Sequence, residues 1–146
     1  KPLQPIQLSG RARVTDGDTI KIGKTRIRLF GIDAPEIKQT CAVNGKVWDC
    51  GYKARQALVK AIGKWLVRCE EKDRDRYRRV VAICTAGGVN LNSLMVRHGW
   101  ALAYRQYSTD YEQDELLARA RKLGLWQGAF VPPWNWRRSK RSTKKY

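Results

Sequence analysis

Histidine is nearly absent from this chain of 146 residues, with His98 the single copy, and none of its cysteines falls in a CxxC pair. A structural zinc cluster draws on cysteine and histidine at such spacings, so none is expected. Long hydrophobic runs are missing too. No apolar stretch approaches the roughly 18 residues needed to cross a bilayer, and no membrane insertion is expected. There is no internal repeat, no initiator methionine and no signal-like apolar start at Lys1; a processed or trimmed form is the expectation, which leaves secretion open. Acid is scarce, with Asp+Glu 13 against Lys+Arg 30, a formal net charge of +17 and a pI near 10.2. Solubility does not ask for so much charge. Such a field attracts polyanions and makes nucleic acid the leading partner, with membrane surface and acidic polysaccharide as alternatives.

The length suits one domain, and a hydrophobic content of 42% supports a globular core. The four cysteines, Cys41, Cys50, Cys69 and Cys84, favour two disulfides and an oxidising compartment. Four reduced thiols in a cytosolic core remain the alternative.

In "RARVTDGDTIKI" and "TRIRLFGI" polar residues alternate with branched apolar ones, and Gly23-Lys24 between them has hairpin chemistry. An irregular stretch is expected from Ile37 to Cys50. The segment "YKARQALVKAIGK" puts Ala54, Ala57, Leu58, Ala61 and Ile62 on one helical face, with Gly63 as a stop. Two apolar runs, Trp65 to Cys69 and Val80 to Cys84, then predict a second hairpin around a charged connection. A helix capped by Asn90 follows, with Leu91, Leu94 and Met95 on one face and His98 at its core edge. A last helix is predicted from about Tyr111 to Leu123, with Leu116, Leu117, Ala120 and Leu123 inward. From Pro132 the chain reads as an irregular, mobile basic tail carrying Arg137, Arg138, Lys140, Arg141, Lys144 and Lys145, which Trp134 and Trp136 pack onto the domain. The pattern predicts an α+β fold: a five-stranded OB-fold barrel with three helices.

One segment runs against the charge of the rest. Residues 13–36 gather Asp16, Asp18, Asp33 and Glu36 around Arg28. Asp18 and Asp33 stand at the exits of different strands, where two carboxylates, a backbone carbonyl and water would make a hard oxygen site for Ca²⁺ or Mg²⁺. Glu36, at a turn forced by Pro35, is a candidate general base, and Arg28 offers a planar fork to a phosphate. Each acid taken singly is more often a turn residue; together, in a basic protein, they favour a site.

The stretches "VTDGDTI", "RIRLFGIDAPE", "DRYRRVVAIC" and "VNLNSLMVRHGWALAY" resemble the thermonuclease family, whose prototype is staphylococcal nuclease, over roughly Arg11 to Trp126. The resemblance implies an OB-fold domain over residues 1–131, a basic tail over 132–146, and Ca²⁺-dependent cleavage of DNA and RNA to 3′-phosphate and 5′-hydroxyl ends. It assigns Asp18 and Asp33 to one calcium ion together with the carbonyl of Ala34, with Asp16 as an acid behind them. Arg28 and Arg79 match the arginines that grip the phosphate, Glu36 the general base, and Tyr77, Tyr104 and Tyr107 the tyrosines of the nucleotide pocket. Arg78 stands where the family has glycine. The cysteine-bearing segment resembles a branch of bacterial exported proteins, which implies a secreted or periplasmic monomer. Cys69 and Cys84 fall on adjacent strands of the expected hairpin and Cys41 and Cys50 bracket the irregular segment, so the pairs Cys69–Cys84 and Cys41–Cys50 are predicted. A non-catalytic nucleic-acid-binding OB module is the rival; a polysaccharide-associated protein would explain the charge but not the acids.

Overall fold

The computed structural model describes the backbone of residues 7–144 and the side chains of residues 7–140. Strands β1 (Gln7–Gly10), β2 (Ala12–Asp16), β3 (Thr19–Ile22), β4 (Thr25–Leu29) and β5 (Ile32–Asp33) come first. Then follow β6 (Cys41–Val43), β7 (Lys46–Trp48), α1 (Cys50–Ile62), β8 (Val67–Arg74), β9 (Val80–Ala86), β10 (Val89–Asn90) and α2 (Leu91–Arg97). The chain closes with β11 (Leu102–Ala103), α3 (Glu112–Ala120), a 3₁₀ turn (Gly124–Gln127) and α4 (Pro133–Lys144).

The main sheet runs β1-β8-β9-β4-β3-β2, with β10 also on β9, and curls as a half-barrel. In β9, predicted as an apolar run, Val80, Ala82, Cys84 and Ala86 turn inward while the residues between them stay half-exposed. Gly23, at φ +59°, lets a two-residue turn join β3 to β4 with Ile22 opposite Thr25. Strand β4 lies parallel to β9. The described residues thus form a seven-stranded sheet, two two-stranded sheets and four α-helices, a correction to the five strands and three helices expected. The extra strands are short ones that pair locally.

Helix α1 buries Ala54, Leu58 and Ile62 and ends at Gly63, as its pattern predicts. In α2 the Asn90 side chain accepts from the Ser93 N–H, which satisfies one free donor of the first turn. Ile20, Ile27, Leu29, Leu58, Met95 and Val96 meet between these helices and the sheet. Cys69 lies directly opposite Cys84 in the β8–β9 register and is bonded to it. Closing a loop of that order contributes roughly 3 kcal/mol in the chain-entropy account.

Four expectations are corrected. The stretch from Ile37 to Cys50 contains the β6–β7 hairpin, which turns at Asn44-Gly45 and is tied by Cys41–Cys50. Helix α3 turns Leu116, Leu117 and Ala120 outward, the two leucines 49% and 45% exposed, and buries Glu115 and Ala118 instead. The reason is polar: the Glu115 carboxylate accepts from the Ala103 N–H at 2.7 Å and from Arg105 at 3.2 Å, which fixes the helix rotation. His98 follows the last turn of α2 and is exposed, not at a core edge. The basic tail is helical rather than irregular over α4, with Pro133, which lacks the N–H a first-turn residue leaves unpaired, at its start. Trp134 of α4 packs against a second small core of Cys41, Cys50, Leu102 and Leu125, as predicted for that residue. Lys145 and the side chains of Arg141 and Lys144 lie outside the described residues.

Candidate active site

Three short backbone devices bring the acids together. The Leu29 N–H donates to the Asp18 carbonyl at 2.8 Å, so the β2–β3 turn is drawn to the end of β4. The β5–β11 pair fixes Asp33 opposite Leu102. Behind the "DAPE" turn, α1 begins so close that a Cβ on Gly51 would collide with the Glu36 carbonyl; only glycine fits there. Gln39 completes the support. It is buried, takes the Glu36 N–H on its Oε1 at 3.3 Å and donates from Nε2 to the Val131 carbonyl at 2.7 Å.

Asp18 is 2% and Asp33 0% exposed. Arg28 joins them: Nη1 lies 3.3 Å from Asp18 Oδ2 and Nη2 donates to Asp33 Oδ1 at 3.1 Å. Asp18 Oδ1 also accepts from the Thr19 hydroxyl at 2.9 Å, and Oδ2 from the Ala34 N–H at 2.8 Å. Burial alone would raise the Asp18 carboxyl, but Arg28 and these hydrogen bonds lower it, so it stays ionised. Its neighbour Asp16 goes the other way. Burial, then the charge of Asp18, push Asp16 up to about 9. The two acids titrate together, with Asp18 the member held ionised by Arg28 and its hydrogen bonds.

A sixth residue enters the cluster from far along the chain. Arg137 of α4 donates from Nη1 to Asp33 Oδ1 at 2.9 Å and to Glu36 Oε1 at 3.0 Å, and from Nη2 to Asp33 Oδ2 at 2.8 Å. Sequence reasoning placed Arg137 in a mobile tail and missed it. Its only local signal was the aromatic pair flanking Asn135, which said that the segment packs but not where. Gln39 carried no signal at all.

The remaining candidates stand in two places. Arg79 is at the β8–β9 tip, where its Nε donates to Asp75 Oδ2 at 2.7 Å and its guanidinium lies over Tyr77, itself 55% exposed. No contact described here joins Arg79 to the acid cluster. Arg78 beside it has φ +63°, the left-handed conformation that glycine adopts without strain and a bulkier residue rarely takes. Tyr104 is fixed by its N–H to the Gly31 carbonyl at 2.8 Å and carries Tyr107 edge-on at 4.8 Å. Trp134 stacks on its ring at 5.2 Å and 19°. Beside them an open cleft of about 700 Å³ is walled by Tyr104, Trp126, Phe130 and Trp134.

The donor chemistry fits a hard cation: buried carboxylate oxygens that the fold already pairs with positive charge. Among the described residues no three His, Cys, Asp or Glu side chains converge into a ready-made cage. A divalent ion held here would complete its shell with a backbone carbonyl, water and ligand oxygen, as an open site does.

A curled sheet with these acids and arginines at one end defines a class, and comparison with known proteins agrees. Residues 26–128 match the model of the staphylococcal nuclease homologue family. The chain is 39% identical to an uncharacterized endonuclease of Escherichia coli, over 95% of this chain and 91% of that protein. It is 35% identical to a micrococcal nuclease of Shigella flexneri, over 89% and 80% of the two chains. An uncharacterized endonuclease of Haemophilus influenzae is 35% identical over 88% and 72%. The chain belongs to the staphylococcal nuclease homologue family.

Proposed function

We propose that this protein is a divalent-cation-dependent, sequence-nonspecific nuclease that hydrolyses DNA and RNA phosphodiesters to 3′-phosphate and 5′-hydroxyl ends. The observation that carries the reading is Arg28 set between the buried Asp18 and Asp33, with Glu36 joined to Asp33 through Arg137, in a chain of net charge +17. Asp18, Asp33 and the carbonyl of Ala34 would hold one Ca²⁺, which when bound supplies Lewis-acid polarisation of the phosphate. Asp16, whose side chain takes the Asp18 N–H at 3.1 Å, holds the turn that carries Asp18. Glu36 takes the proton of the attacking water, phosphorus gains the water oxygen, and the bond to the 5′ oxygen breaks, that oxygen leaving as the 5′-hydroxyl with a proton from solvent. Arg28 binds the charge that grows on the phosphate oxygens. Arg79 joins it on release from Asp75. Tyr77, Tyr104 and Tyr107 contact the nucleotide, and the basic surface, including the 132–146 segment, gathers substrate for the domain of residues 1–131. Two disulfides suit a secreted or periplasmic monomer.

One observation favours a second reading, a nucleic-acid binder that does not cut: Arg79 faces Asp75 rather than the acids. Incubation with single-stranded DNA and RNA, in Ca²⁺ or in chelator, separates the two. The nuclease reading expects Ca²⁺-dependent cleavage with 5′-hydroxyl ends, none from Asp18→Asn, and a loss of about 10²–10⁴-fold in Glu36→Gln. Binding without cation-dependent cleavage in the wild type leaves the binder.

A further inference from the structure

The role of Arg137 follows from which oxygens it holds. Both carboxylate oxygens of Asp33 and one of Glu36 accept from its guanidinium at 2.8 to 3.0 Å. The placement is built rather than incidental. Trp134, one turn earlier on α4, is stacked on Tyr104, and the Val131 carbonyl just before the helix is held by the buried Gln39 side chain. The Asn135 and Trp136 N–H groups both donate to the Pro132 carbonyl, closing the first turn. The side chain of Arg137 is 26% exposed and that of Asp33 is fully buried, so water screens the pair weakly. Arg138, the next residue, is exposed on the same helix and has no part in the cluster.

A guanidinium seated across both Asp33 oxygens and a divalent cation on the same oxygens would be like charges a few ångströms apart in a poorly screened site. They compete for Asp33, whereas Arg28 takes only its Oδ1 and leaves the other oxygen open. We propose that Arg137 is a built-in competitor for the divalent cation, one that sets the affinity of the acid cluster and must leave it when the ion binds. This rests on the metal-dependent reading above and adds to it a residue outside the acid motif. Apparent affinity falls by the fraction of molecules in which the site is open, so an Arg137 seated about 90% of the time weakens binding about tenfold. On release, the α4 register that Arg137 anchors loosens with it.

Calorimetric titration of CaCl₂ into nucleic-acid-free protein tests this without any measure of catalysis. Arg137→Ala is expected to bind Ca²⁺ about tenfold more tightly than wild type. Arg138→Ala, which removes the same charge one residue away without vacating the carboxylates, is expected to match wild type. Arg137→Lys keeps the charge but cannot span two oxygens, and falls between; it also carries the test if Arg137→Ala does not fold. Hydrogen exchange across residues 133–140 should rise when Ca²⁺ is added to wild type and stay unchanged in Arg137→Ala. Equal Ca²⁺ affinity in wild type and Arg137→Ala, or the same gain from Arg138→Ala, overturns the competitor and leaves the metal site standing. No Ca²⁺ binding by any of the four proteins overturns the metal reading and the competitor together.

Discussion

Two charged clusters hold this molecule's candidate arginines, and they are built differently. At the end of β4, Arg28 is pinned among carboxylates that are almost wholly buried, with a second guanidinium from α4 closing over them. At the β8–β9 tip, Arg79 meets Asp75 over the face of an exposed tyrosine, and this acid keeps 22% of its side chain in water where Asp18 and Asp33 keep 3% and none. Burial makes each lost partner in the first cluster costly, because a buried charge left alone has no water to turn to. The second cluster is screened, and its arginine can be drawn to another anion cheaply. The inner cluster therefore preorganises a site, while the outer one is a movable contact.

Breaking the inner cluster should have the larger effect. Asp33→Asn removes the charge that Arg28 and Arg137 share, and a loss of about 3–5 kcal/mol is expected for a broken buried ion network. Urea denaturation in chelator measures it; a loss under 1 kcal/mol would mean that the cluster is not shielded as its burial implies.

The outer pair should yield far less. Asp75→Asn is expected to cost within about 1 kcal/mol, since Asp75 is 22% exposed and the inner acids are almost wholly buried. Burial nudges the Asp75 carboxyl up, but the Arg79 N–H and side chain hold it below its ordinary 3.8. A depressed carboxylate stabilises above its unfolded value and loses that contribution as the pH falls through its lower folded one. The stabilities of wild type and Asp75→Asn should therefore converge on acidification below 3.8. A gap that persists or widens in acid would assign the difference to something other than this charge.

The smallest effect is expected at Arg78→Gly. Relief of the left-handed backbone, about 1 kcal/mol, is set against the greater freedom glycine has when unfolded, about 0.5–1 kcal/mol. The urea midpoint should hardly move. A clear loss of stability would show that the Arg78 side chain contributes packing of its own.

What the sequence determined by itself is whatever has a short-range cause. Period-two alternation marked β2, β3 and β4, an apolar run marked β9, the glycine turn marked the β3–β4 hairpin, and the Asn90 cap began α2 where the pattern says. The pairing of Cys69 with Cys84 followed from the hairpin that places them opposite one another. The acids of the site were legible because they crowd into one segment of 24 residues in an otherwise basic chain. Tertiary structure decided the rest. The rotation of α3 depends on where the Ala103 N–H needs a carboxylate, a demand that no periodicity in α3 records, so two leucines face water and Glu115 does not. The last member of the acid cluster lies 104 residues from Asp33 in the chain. In sequence Arg137 is one cation among many; a buried carboxylate pair, existing only after the sheet has formed, makes it different from Arg138 beside it.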